Sequence, residues 1–220
     1  MRKLLPILCL LIIASCSKEV KEISSDQLVE REGIYYEINS QTPFSGRAVW
    51  YHDNGQLGSK GNWKDGKRDG PSVKYYENGQ LGSKGNWKDG KREGPYEYYH
   101  ENGQLGSKGN WKNGEIDGLS VVYFENGQLE FKVKFKNGKD DGLQESYYEN
   151  GQLEKKSNYK DGELDGLIEM YHENGQLQSK RNYKDGELDG PYESHTENGQ
   201  LLAKNCYKNG EKVDMSYCEE

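Results

Sequence analysis

The side chains best able to bind a metal or move protons are four histidines, His52, His100, His172 and His195, and a series of acids, Asp69, Glu93, Asp117, Asp141, Asp165 and Asp189, each followed by glycine. Their spacing argues against both chemistries. His52 and His100 are separated by two periods of an internal repeat, which in a sheet of hairpins is four strands, or roughly 19 Å. That is too far to share an ion, and His172 and His195 fall on opposite faces by the register given below. An acid before glycine favours turn geometry, and neighbouring lysines oppose a dedicated calcium site. The triplet Lys64-Asp65-Gly66 returns in every period, with Asn for Asp at 113, 137 and 209, as a structural position does. There is no Cys-x-x-Cys, phosphate loop or Ser/His/Asp arrangement. The sequence therefore assigns no catalytic residue, no metal and no cofactor, and reads as a non-enzyme.

The element that positions all these residues is a repeat. Asn-Gly-Gln-Leu begins at Asn54, Asn78, Asn102, Asn126, Asn150, Asn174 and Asn198, always 24 residues apart, the mark of a repeat architecture. Each period predicts two strands, such as Ser72–Glu77 and Gln80–Lys88, joined by Asn78-Gly79 as a type I′ turn. A second short connection, residues 65–70, is also rich in turn residues. Short connections imply antiparallel neighbours. The expected fold is all-β: an elongated, twisted antiparallel meander of 24-residue β-hairpin repeats.

With Asn78 and Gly79 as the loop, Tyr76 faces Leu81 and Tyr75 faces Gly82. Two ladders then share a face and form the core. One is Leu57, Leu81, Leu105, Leu129, Leu153, Leu177 and Leu201; the other is Trp63, Trp87, Trp111, Phe135, Tyr159, Tyr183 and Tyr207. The opposite face carries Tyr51, Tyr75, Tyr99, Tyr123, Tyr147 and Tyr171, with a lysine in each period from Lys60 to Lys204. This stripe reads either as a solvated, self-packing face or as a platform for a partner, since tyrosine is enriched at interfaces.

Composition agrees with a thin sheet. Only 32% of residues are hydrophobic, yet 17 are Tyr, which fits neither a thick core nor disorder. The net charge of −7, with lysine and arginine spread through every period, excludes nucleic acid as a partner, because phosphate neutralisation dominates that affinity.

Residues 1–15 read as a signal peptide: basic Met1-Arg2-Lys3, then apolar Leu4–Ala14, too short to span a bilayer. Ile13-Ala14-Ser15-Cys16 resembles the bacterial lipobox and implies lipidation of Cys16, hence a membrane anchor. Ser17 in place of Asp points to the outer membrane, with the exposed face left open. Residues 16–28 read as a tether, 29–53 as an irregular capping hairpin and lead-in strand, 54–212 as seven repeats, and 213–220 as a carboxyl-terminal cap. Cys206 and Cys218, twelve residues apart, form either a disulfide worth about 2–4 kcal/mol or two free thiols.

The unit from Glu93 to Leu105, followed by Lys108, Trp111, Lys112, Asn113-Gly114 and Asp117-Gly118, resembles the MORN repeat variant, in the bacterial form grouped with antitoxins of the YwqK type. Gly33-Ile-Tyr-Tyr and Pro43-Phe-Ser-Gly46 resemble that family's leading segment. The resemblance spans about residues 29–212 and implies a scaffold or binding surface. The expectation is a lipid-anchored scaffold at the bacterial cell envelope for an unidentified surface, host or toxin protein. The alternatives are an antitoxin or immunity-type protein, and a structural envelope spacer.

Overall fold

The computed structural model describes residues 20–219. The expected signal peptide and Cys16 lie outside those residues. Among the described residues, one 20-stranded sheet carries the repeats and a separate two-stranded hairpin lies at its start. The first strands are β1 (Glu22–Ser24), β2 (Leu28–Arg31), β3 (Ile34–Glu37), β4 (Gly46–Tyr51) and β5 (Leu57–Lys64). From β4 onward every period supplies a strand such as Gly70–Tyr75 and a longer one such as Leu81–Lys88. Each pairs antiparallel with the next, so the sheet is the meander that the period implies.

The turns differ from expectation. Asp65 and Gly66 both have positive φ, 49° and 76°, and Lys64 lies opposite Lys67. This is the type I′ hairpin, and it returns in every period down to Asn209-Gly210. At Asn78-Gly79 only the glycine is left-handed, at 81°. Gly79 N–H donates to Tyr76 O at 2.9 Å, and Tyr76 N–H to Gln80 O at 2.9 Å. That is a three-residue loop, a type I turn closed by a left-handed glycine.

The longer loop brings a β-bulge that corrects the register. Tyr75 lies opposite Leu81 rather than Gly82, and Lys74 opposite Ser83. Side chains directly across an antiparallel pair share a face, so Leu81 joins Tyr75 instead of Tyr76. The two expected core ladders therefore lie on opposite faces. The extra residue turns Gly82 towards the indole face, where a Cβ on it would lie 3.2 Å from the Tyr76 ring.

The core is correspondingly thin. Phe44, Ala48 and Trp63 form its one buried cluster, supported by Ile23, Leu28 and Tyr35. Further along, Val121, Val133, Ile168 and the serines 120, 157 and 179 are buried, with Ser120 directly across from Val133. Trp87 and Trp111 are half-buried, and Leu201, the last of its ladder, is 56% exposed.

The amino-terminal expectations also change. Residues 16–28 are not a tether throughout, because Ile23 pairs in parallel with Ala48 and β1 covers the edge of β4. The β2–β3 hairpin sits instead at the turn end of the first period: Tyr35 N–H donates to Gly66 O, and Gly66 N–H to Phe44 O, both at 2.8 Å. At the other terminus a short strand, Glu211–Val213, is followed by a 3₁₀ turn, Met215–Cys218. Cys206 and Cys218 are bonded there, with Cα atoms 6.0 Å apart.

Candidate functional site

The insistent Asn-Gly-Gln-Leu motif is used up in joining periods. Asn78 Oδ1 accepts from Gln80 N–H at 2.9 Å, and its Nδ2 donates to Glu101 O in the next period at 3.0 Å. The same pair of bonds is made at Asn54, Asn102, Asn150 and Asn174. Gln80 lies over Gly103 so closely that a Cβ there would sit 2.4 Å from its Oε1. The residue before the loop adds a third link. Tyr76 Oη donates to Tyr99 O at 2.6 Å, and His52 and His100 reach the equivalent carbonyls at 2.9 Å through Nε2. Burial, with Tyr98 beside it, pushes the Tyr76 hydroxyl up to about 12. His172 does the same to His195 O at 3.2 Å, so the histidines are mostly rivets. The acids before glycine serve the opposite edge: Glu93 accepts from Asn113 N–H at 2.7 Å, and Asp69 from Asp89 N–H at 3.3 Å.

The face bearing Tyr75 carries one unbroken cross-strand row: Val49, Lys60, Val73, Lys84, Glu97, Lys108, Val121, Lys132, Glu145, Lys156, Glu169, Lys180, Glu193 and Lys204. Lys84 Nζ lies 2.7 Å from Glu97, and Lys132 pairs with Glu145. Tyr99 donates to Glu97, and Tyr147 to Glu145 at 3.0 Å. The hydrogen bond from Lys84 holds the Glu97 carboxyl below its usual range. At Glu145 burial opposes ionisation, but Lys132 and Tyr147 together still keep its pKa low. Of the expected partner stripe, Tyr51 is 50% exposed, while Tyr75, Tyr99, Tyr123, Tyr147 and Tyr171 are half-buried among these charges. Sequence reasoning found the lysines and tyrosines but missed the glutamates between them. The signal was a Val or Glu two residues before each tyrosine.

On the indole face, arginines interleave with tryptophans. The Arg68 guanidinium lies 5.1 Å from the Trp63 ring and 5.0 Å from Trp87. Arg92 lies 5.6 Å from Trp87 and 4.9 Å from Trp111. A cation over an indole face is worth about 0.5–1 kcal/mol when exposed, and here each cation has two. Beside this row a cavity of about 270 Å³ opens over Gly85, walled by Ser72, Lys74, Trp87, Tyr96 and Tyr98. A Cβ at Gly85 would meet only the Tyr96 Cβ, at 3.6 Å. Among the described residues no three His, Cys, Asp or Glu converge as ligands.

The fold and this site define a class, a single-sheet array of identical β-hairpins with its polar residues spent on joining neighbours. Residues 45–65, 68–89, 92–113, 116–137, 140–161, 164–185 and 188–209 each match the MORN repeat variant. These segments make up most of the chain, which belongs to that family. No curated protein matches it. Among solved structures, the chain is similar to the ASR alternansucrase in complex with isomaltononaose, at 15% identity and a TM-score of 0.18. That match covers 84% of this chain but only 15% of the other.

Proposed function

We propose that the chain is a non-enzymatic scaffold of the bacterial cell envelope that binds a protein through its indole face and is held to a membrane by lipid on Cys16. One contrast carries the binding half of this reading. The recurring Asn, His, Gln and acid side chains are engaged within the array, whereas Arg68 and Arg92 make no ion pair among the described residues. The tyrosine stripe is the weaker surface, because Tyr99 and Tyr147 already donate to glutamates. The anchor is supported by the Ile13-Ala14-Ser15-Cys16 sequence after a short apolar run, since several acyl chains hold a protein where one does so only marginally.

Crosslinking on intact cells, followed by affinity capture of the full-length chain, tests the binding half. A specific partner protein is expected, with less of it recovered when Arg68 and Arg92 are both replaced by Gln. Recovery of a secreted toxin would make the chain an immunity protein, and no specific capture would reduce it to a spacer. Fractionation of Cys16→Ala tests the anchor: the variant should leave the membrane fraction, and retention there would overturn lipidation.

A further inference from the structure

We propose that the cavity over Gly85 receives an extended acidic segment of a partner protein, with two carboxylates three residues apart held by Arg68 and Arg92. This rests on the protein-binding reading and names the chemistry of the partner.

Each guanidinium lies within 4.9–5.6 Å of two indole rings, one in its own period and one in the next. What stays open is the in-plane fork of N–H donors, the edge that takes a carboxylate in two parallel hydrogen bonds. Among the described residues neither Arg68 nor Arg92 pairs with an acid. Lys74, which shares this wall, is likewise free of an ion pair. In a chain of net charge −7, the cavity lining is of the opposite sign: its one acid, Glu97, is paired with Lys84, which leaves Arg68, Lys74 and Arg92. At the far wall, Trp111 Nε1 is buried and without an acceptor.

The period sets the spacing. Arg68 and Arg92 are one period apart, which is two strands or roughly 9.6 Å, and a segment in the polyproline II conformation, with three residues per turn, covers roughly 9.3 Å in three residues and returns its side chains to the same side. Acids at positions i and i+3 therefore match the two forks, with the segment running across the strands. The site is also bounded. The position of Arg68 and Arg92 is held one period earlier by Phe44 and one period later by Ile116, and after that by Asp140. Two forks call for two carboxylates, and Asp140 repels a third.

The test is fluorescence anisotropy of the intact chain with two labelled peptides that lack apolar side chains. One has glutamate at every third position; the other has the same number of glutamates at every fifth. The first should bind at least about tenfold more tightly at low salt and weaken as salt rises. Arg68→Gln with Arg92→Gln should remove that preference, and Arg92→Lys, which keeps the charge but not the fork, should lose most of it. Equal affinity for the two spacings in the wild-type chain would overturn the proposal, whether or not the variants fold. So would a folded double variant that binds as the wild type does. If the peptides show no preference while crosslinking still captures a protein, this site fails and the scaffold reading stands.

Discussion

In the first three periods the floor of the indole face is Gly61, Gly85 and Gly109; in the last four the same position holds Val133, Ser157, Arg181 and Asn205. The aromatic rungs change with it, from Trp63, Trp87 and Trp111 to Phe135, Tyr159, Tyr183 and Tyr207. Their partners change from Arg68 and Arg92 to Leu164 and Leu188. The bulge residue goes from Gly58, Gly82 and Gly106 to Glu130, Glu154, Gln178 and Leu202. One backbone thus carries two treatments. The amino-terminal part is floored with glycine, covered by rings at Gly61 and Gly109 and left open beside the arginines at Gly85, and the carboxyl-terminal part is filled with side chains. Hairpin geometry survives both because it is set at the turns and the riveted edges. The floor is left free to vary, and that is where specificity can be written.

Removing buried volume should separate the two parts most strongly. Ile168 is 4% exposed, so Ile168→Ala should cost about 2–4 kcal/mol in urea denaturation. Ser72→Ala, at the matching position beside the cavity, should cost less than about 1 kcal/mol. Equal losses would end the distinction between filled and hollow. Adding volume tests it from the other side. A Cβ at Gly109 would lie 2.6 Å from Tyr96 Cε1, so Gly109→Ala should destabilise by about 1–2 kcal/mol. Gly85→Ala, with open space around it, should be neutral within about 0.5 kcal/mol, and a large loss there would mean the cavity is not open.

The smallest effect is electrostatic. The lysine row has Val49, Val73 and Val121 in the earlier periods with a single Glu97, and then Glu145, Glu169 and Glu193 in succession. Against the opposing effect of burial, Lys132 and Tyr147 hold the Glu145 carboxyl below its ordinary range. Its contribution is therefore present above the unfolded pKa and is lost as pH falls through the folded one. Lys132 has a raised pKa, from 10.5 upward, so its contribution persists through neutral pH and disappears only in strong alkali. Hydrogen exchange below pH 4.5 should show opening begin in the strands around Glu145 and Glu97, the two carboxyls held low by lysine and tyrosine. Glu145→Gln should abolish that local acid response and cost under about 1 kcal/mol at neutral pH, as a partly exposed pair does. Uniform opening along the array would show that the row adds nothing local.

The period and the meander were legible because six identical intervals between seven copies fix strand number, order and sense without any knowledge of packing. The loop type was not. Asn78-Gly79 satisfies the local rule for a type I′ turn, but Asn78 is occupied by Glu101 O in the next period, a contact 23 residues away that no local rule contains. Taking that loop as two residues instead of three misplaced one residue. Since side chains alternate along a strand, Leu81 was thereby assigned to the wrong face. The tryptophans were legible as a ladder, but the arginines between them were read as turn residues of the 65–70 connection. β1 was missed because three residues, Glu22–Ser24, show no alternation, and a parallel partner 25 residues away leaves no mark in a hairpin pattern.

The two edges of the array are joined in opposite senses. At the Asn-Gly edge an earlier period donates to a carbonyl of the later one, as Asn78 does to Glu101; at the Asp-Gly edge the later period donates backward, as Gly90 N–H does to Arg68 O. Each period thus meets its neighbours through a plug on one side and a socket on the other. Whole periods can be spliced out or duplicated and the joints still match, which changes the reach of the ribbon in steps of roughly 10 Å. The ends cannot be exchanged. Phe44 and Ser45 supply the sockets that Gly66 and Asp65 require, and the Cys206–Cys218 bond closes the other end by a different chemistry. The molecule is a measuring rod with a fixed direction, and evolution can lengthen it without redesigning it.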